Sequence, residues 1–166
     1  MKNILDKATL WLSDTFDTET QQEIQQLISS NSKDLTDRFY KDLEFGTGGM
    51  RGMMGAGTNR INKYTLGKAT QGLSNYLKKS YPNEEIKVAI AYDCRHNSDT
   101  FSRLVAEVLS ANDIKVVVFE DLRPTPELSF AVNELNCHAG IVLTASHNPP
   151  EYNGYKVYWT DGGQIV

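Results

Sequence analysis

Apolar positions over the first forty-odd residues recur at helical spacing. Ile4, Ala8, Trp11 and Leu12 share one face, then Ile24, Leu27 and Ile28, then Leu35, Phe39 and Leu43. Thr18-Glu19-Thr20-Gln21 has the form of a capping box, with Thr18 starting the second helix. From about residue 63, helical stripes alternate with short extended runs. Leu66, Ala69, Leu73, Tyr76 and Leu77 form one stripe, ended by Tyr81-Pro82, and Ile86 to Tyr92 follows as a strand. Phe101, Leu104, Val105, Val108 and Leu109 form the next stripe, starting near Ser98. Ile114 to Phe119 is β-branched enough to predict a buried strand. Thr125 suits an N-cap and Pro126 the first helical position, before the stripe Leu128, Ala131, Val132 and Leu135.

Gly140 to Thr144 is the following strand. Past the turn-rich Asn148 to Gly154, Tyr155 to Trp159 predicts a strand antiparallel to it. Such alternation builds a sheet covered by helices. The expected class is therefore α/β: a mixed, mostly parallel sheet with helices on both faces. A helical extension is expected over residues 1–44 and the α/β domain over residues 45–166. After the turn Asp161-Gly162-Gly163, the run Gln164-Ile165-Val166 resembles the start of another element, which suggests a piece of a longer protein.

Composition narrows the partners. A net charge of −4 argues against a domain that wraps nucleic acid, which would carry a basic surplus. Any anion must instead meet a local cluster. Cys94 and Cys137 form no metal-binding spacing and no disulfide framework, so a reducing compartment fits. No apolar run is long enough to span a bilayer, and Met1-Lys2-Asn3 opens no signal sequence, so the expected setting is cytoplasmic, without membrane contact.

Two segments gather residues that packing does not require: the glycine-rich Phe45 to Gly57, and the loop after the strand ending at Thr144. Ligands of open α/β sheets bind beyond the carboxyl ends of strands, which is where Ser146-His147-Asn148 falls. Composition and placement alone leave a plain turn as an alternative for that loop, and a flexible surface loop as one for the glycine-rich segment. A serine hydrolase is discounted, because the surroundings are not Gly-x-Ser-x-Gly. Nucleotide loops also fail, since Arg51 stands where a dinucleotide fingerprint needs its third glycine.

Thr144-Ala145-Ser146-His147-Asn148-Pro149 resembles the phosphoserine loop of the α-D-phosphohexomutases, the phosphoglucomutase and phosphomannomutase family. Gly46-Thr47-Gly48-Gly49-Met50-Arg51-Gly52 resembles that family's first arginine loop, and Asn153-Gly154-Tyr155-Lys156 its lysine loop. Asp93-Cys94-Arg95, followed by Ser98, is similar to a fourth family segment. Gly49 stands where alanine or serine is commoner, and Tyr152 where a small or acidic residue is. The run Asn-Gly-Tyr-Lys-Val-Tyr-Trp and the helical extension lean to the phosphoglucomutase and phosphopentomutase branch.

The resemblance implies a phosphotransferase interconverting hexose 1-phosphate and hexose 6-phosphate through phosphoserine 146 and a sugar bisphosphate. It implies Ser146, His147, Lys156 and Arg51 as catalytic residues, with Thr47 and Asn148 joining them in binding phosphate. Asp93 and Arg95 are expected to satisfy each other and brace the serine loop. Mg2+ is implied as cofactor, meeting this chain through a phosphoryl oxygen on Ser146, with its carboxylate ligands in further domains of the longer protein. Residues 1–166 alone are then expected to be inactive. A module that binds a phosphosugar without catalysis is the alternative.

Overall fold

The computed structural model describes residues 2–165; Met1 and Val166, each part of a terminal run read above, lie outside the described residues. Three helices come first: α1 (Lys2–Leu10), α2 (Thr18–Ser29) and α3 (Lys33–Phe39). Then follow β1 (Met50–Met53), α4 (Lys63–Ser80), β2 (Lys87–Tyr92), α5 (Ser98–Ala111), β3 (Lys115–Val118), α6 (Thr125–Glu134), β4 (Ala139–Leu143) and β5 (Tyr152–Tyr158).

Two helix starts shift by one residue from the sequence reading. Asp17, not Thr18, caps α2, accepting the Thr20 N–H at 3.1 Å. A carboxylate there answers both the free amides and the helix dipole. Pro124 takes the N-cap position of α6, so Thr125 and Pro126 lie inside its first turn, where a missing N–H costs nothing.

The sheet runs β1-β5-β4-β2-β3. The β2–β3 and β2–β4 pairs are parallel, whereas β4–β5 and β1–β5 are antiparallel. The crossover through α5 carries the chain outward from β2 to β3, and the one through α6 carries it back past β2 to β4. Right-handed crossovers in opposite directions leave their helices on opposite faces. Leu66, Leu77, Phe101 and Val105 accordingly cover Val88 and Ile90 on one face. Leu128 and Val132 cover Ala89 and Val142 on the other.

Two strands differ from expectation. β3 is an edge strand, half-exposed rather than buried, because β-branched composition reports strand propensity and not the number of neighbours. β1 forms within the glycine-rich segment and lines the opposite edge, with Arg51 facing Gly154 of β5. The helical extension has a third core of its own, Ala8, Trp11, Ile24 and Phe39, into which Ala56 inserts.

Candidate active site

Register across the sheet assembles one row at its carboxyl end. Arg51 on β1 pairs with Gly154 on β5, and the Gly154 carbonyl accepts the Thr144 N–H at 3.1 Å just past β4. Asp93, just past β2, donates its N–H to the Leu143 carbonyl at 3.2 Å. Gly154 is required here: a Cβ would sit 2.7 Å from the carbonyls of Met50 and Thr144 and 3.0 Å from Cγ of Arg51. The close approach lets Arg51 pass over the strand beside the serine loop.

Ser146 sits at φ 56°, a left-handed conformation that non-glycine residues rarely adopt. Its N–H donates to Thr144 Oγ1 at 2.9 Å, and that hydroxyl donates to Asp93 Oδ2 at 2.5 Å. Its carbonyl accepts Arg95 Nη2 at 2.7 Å. The same guanidinium donates to the carbonyls of Asn148, Pro149 and Tyr152 at 2.7, 2.9 and 3.1 Å. Both backbone groups of Ser146 are thus held, while its exposed Oγ has no hydrogen bond among the described residues. A cleft of about 280 Å3, lined by Asp93, Arg95, Ser146 and Asn148 among others, opens beside it.

Arg51 and Lys156 supply positive charge that the fold leaves uncommitted. Neither takes part in an ion pair among the described residues. The Arg51 guanidinium lies against Gly48, where a Cβ would come within 2.3 Å of Nη2. Lys156, opposite Val142 of β4, is only 9% exposed. The register puts both cations toward the end of the sheet from which the serine loop leaves β4, and cations without ion-pair partners suit a doubly anionic group, such as a phosphoryl ester.

A family profile described as phosphoglucomutase/phosphomannomutase, alpha/beta/alpha domain I, matches residues 42–166. The chain belongs to that family. It is 40% identical over 99% of its length to a phosphoglucomutase of Staphylococcus epidermidis, and 39% identical over 98% to a phosphopentomutase of Mus musculus. The crystal structure of a protein assigned as a phosphomannomutase from Thermus thermophilus superposes with a TM-score of 0.69 and 34% identity over 76% of the chain. This chain spans 28% of the length of each of these three relatives.

Within this family domain, the remaining candidates stand as follows. Thr47 is exposed at the tip of a tight turn in which Gly46 and Gly49 exchange backbone hydrogen bonds of 3.1 and 3.0 Å. His147 is exposed on the serine loop, and Asn148 has a buried Oδ1 without a partner. Asp93 and Arg95 do not chiefly satisfy each other, since the Arg95 Nε to Asp93 Oδ2 separation is 3.5 Å. Asp93 is spent instead on Thr144, Ser98 and the Arg95 N–H.

Sequence reasoning missed Thr144 and Asn153 as holding residues. Asn153 is fully buried, donating to the His96 carbonyl and Ser98 Oγ at 3.0 Å each while accepting the Gly154 N–H at 2.7 Å. The only signal was their place inside the matched motifs.

These residues do not make a magnesium site by themselves. Both oxygens of Asp93 are committed, and among the described residues no three His, Cys, Asp or Glu side chains gather as a metal site. Nor is any helix among them long and apolar enough to cross a membrane.

Burial, then the Arg51 charge, lowers the pKa of the Lys156 ammonium, with Asp93 opposing. The unfolded chain then binds this proton more tightly. The cost is fully present below the lowered pKa and disappears as pH rises from there through the ordinary lysine range. Lys156→Met is therefore expected to raise the melting temperature at neutral pH, by about 2–4 °C for each kcal/mol released. The gain should shrink toward alkaline pH, which melts of both proteins across that range will check.

Proposed function

We propose that the longer protein is a phosphohexomutase interconverting hexose 1-phosphate and hexose 6-phosphate, glucose phosphates first among them, with Ser146 as the phosphoryl carrier. The observation that carries this reading is a left-handed serine whose backbone is held on both sides and whose hydroxyl is free, with two uncommitted cations toward the same end of the sheet. The similarity to phosphoglucomutases supports the substrate class.

In the forward half-reaction, the Oγ–P bond of phosphoserine breaks as an O–P bond forms to the free hydroxyl of the sugar monophosphate. That hydroxyl loses its proton and Oγ gains one, giving a sugar bisphosphate. Returned in the opposite orientation, the bisphosphate donates its other phosphoryl group to Oγ, and the isomerised monophosphate leaves. Free bisphosphate also recharges a serine that has lost its phosphate.

Phosphoserine brings about −1.5 to −2 charges. Arg51 meets them with a planar fork, and Lys156, its pKa already lowered, gives and recovers the proton at Oγ. Thr47, His147 and Asn148 add donors to phosphate oxygens, while Asp93 and Arg95 hold the loop. Magnesium, when bound, would supply electrostatic stabilisation and meet this chain at a phosphoryl oxygen of Ser146. Its carboxylate ligands and the residues that read the sugar come from the rest of the longer protein, so this segment alone does not turn over.

Phosphopeptide mapping of the full-length protein treated with glucose 1,6-bisphosphate tests the reading. One phosphoryl group is expected on Ser146, and it should pass to added glucose 1-phosphate. A protein that binds the sugar phosphate yet never carries phosphate on Ser146 would be a binding module instead.

A further inference from the structure

Residues 2–41 lie outside the matched family domain, yet the Staphylococcus epidermidis relative aligns over 99% of the chain, extension included. What the extension touches is specific. Arg38 of α3 ion-pairs with Glu23 of α2, donates Nε to Asp34 Oδ2 at 2.6 Å, and donates Nη1 to the Ala56 carbonyl at 3.0 Å. Glu23 Oε2 accepts the Ala56 N–H at 3.3 Å, so both backbone groups of Ala56 are gripped while its methyl plugs the extension's core.

The flanking glycines have no room to be anything else. At Gly55 (φ 140°) a Cβ would lie 2.9 Å from Arg38 Nη1, and at Gly57 (φ 130°) 2.8 Å from the Arg38 carbonyl. The Arg38 carbonyl also accepts the Asn59 N–H at 2.9 Å.

The gripped segment begins where the two halves of the candidate site meet. Met54 follows β1, the strand bearing Arg51, and its N–H donates to the Glu151 carbonyl at 2.9 Å. The next carbonyl, that of Tyr152, is held by Arg95, which also holds Ser146. The sheet's own cores are built from other residues, so the grip is not what folds the sheet.

We propose that the helical extension braces the phosphoryl-transfer site, with Arg38 and Glu23 as positioning residues that fix Gly55–Gly57 and thereby set Arg51 relative to Ser146. This rests on the mutase reading above. In the brace, Arg38 supplies a fork that only guanidinium geometry fits, and Glu23 closes it from the other side.

The test uses the full-length protein with Arg38→Met, Glu23→Ala and Glu23→Gln. Turnover of glucose 1-phosphate is measured alongside amide exchange at Met54 and Ala56. In the first two variants kcat is expected to fall about 10- to 100-fold, as misplacement of a reacting group does, with KM nearly unchanged and exchange at Met54 accelerated. Glu23→Gln, whose single amide oxygen can replace only one of the two acceptors used by Arg38 and Ala56, should recover part of the loss at most.

If Arg38→Met does not fold, the half-exposed Glu23 decides alone. Unchanged kcat in Glu23→Ala, or a loss confined to KM, would overturn the brace. A wild-type protein without turnover, or one still active as Ser146→Ala, would instead overturn the mutase reading.

Discussion

Full-length protein carrying Ser146→Ala is expected to take up no phosphate from a sugar bisphosphate and to lose mutase turnover by on the order of 10^4-fold or more. The size follows from the absence of a substitute. Cys94 lines the same cleft but lies beyond β2 rather than on the serine loop, and His147 points from the loop without a holding partner among the described residues. Stability should barely move. Ser146 Oγ makes no hydrogen bond to lose, and alanine at the same left-handed backbone stays within about 1 kcal/mol. Melting and phosphate incorporation, measured on one preparation, separate loss of chemistry from loss of fold. A folded Ser146→Ala protein with substantial turnover would sink the assignment.

The fold explains why charge collects here. Parallel β2 and β4 bring Asp93 and the Thr144–Ser146 loop to one end of the sheet, as open α/β sheets do. Two parallel strands alone would leave that loop with Arg95, whose guanidinium is already committed to backbone carbonyls. Antiparallel β5 and β1 extend the sheet on the β4 side and deliver Lys156 and Arg51 to the same end. The left-handed Ser146 costs about 1–3 kcal/mol, and the bonds to Thr144 and Arg95 offset it. The hydroxyl is thereby presented before any substrate arrives.

Much of this was legible in the sequence, and the exceptions share a cause. Helices α4 to α6 announce themselves through one-sided apolar stripes, and strands β2, β4 and β5 through short apolar runs, the strands being buried on both faces. β1 does not, since Met-Arg-Gly-Met among glycines has no alternation, and its strand form comes from pairing with a partner a hundred residues away. The edge position of β3 was hidden for the converse reason: Val116 and Val117 would suit a central strand equally well.

At the site, motifs single out Ser146, Arg51 and Lys156, but side chains that bond backbone carbonyls leave no complementary residue to read. Among the described residues Arg95 has one carboxylate neighbour, at 3.5 Å, and it spends its fork on four carbonyls. Arg38 and Glu23 likewise grip the backbone of an alanine.

Arg95 consequently carries the second large expectation. Its side chain is 11% exposed, and Arg95→Met would remove a donor from the carbonyls of Ser146, Asn148, Pro149 and Tyr152, with that of Pro149 keeping the Tyr152 N–H. Breaking such a set is expected to cost about 3 kcal/mol of stability. The larger effect falls on Ser146, whose left-handed backbone then keeps only the Thr144 contact. Phosphorylation of Ser146 by a sugar bisphosphate should slow about 100-fold, the scale of an ångström's misplacement.

Arg95→Lys separates charge from geometry. A single ammonium keeps the charge beside Asp93 but cannot span carbonyls on both sides of a fork. It should therefore regain part of the stability and little of the rate. Melting curves and single-turnover phosphorylation of the two variants measure the split; full recovery of rate by lysine would mean that charge, not the held shape of the loop, is what Arg95 contributes.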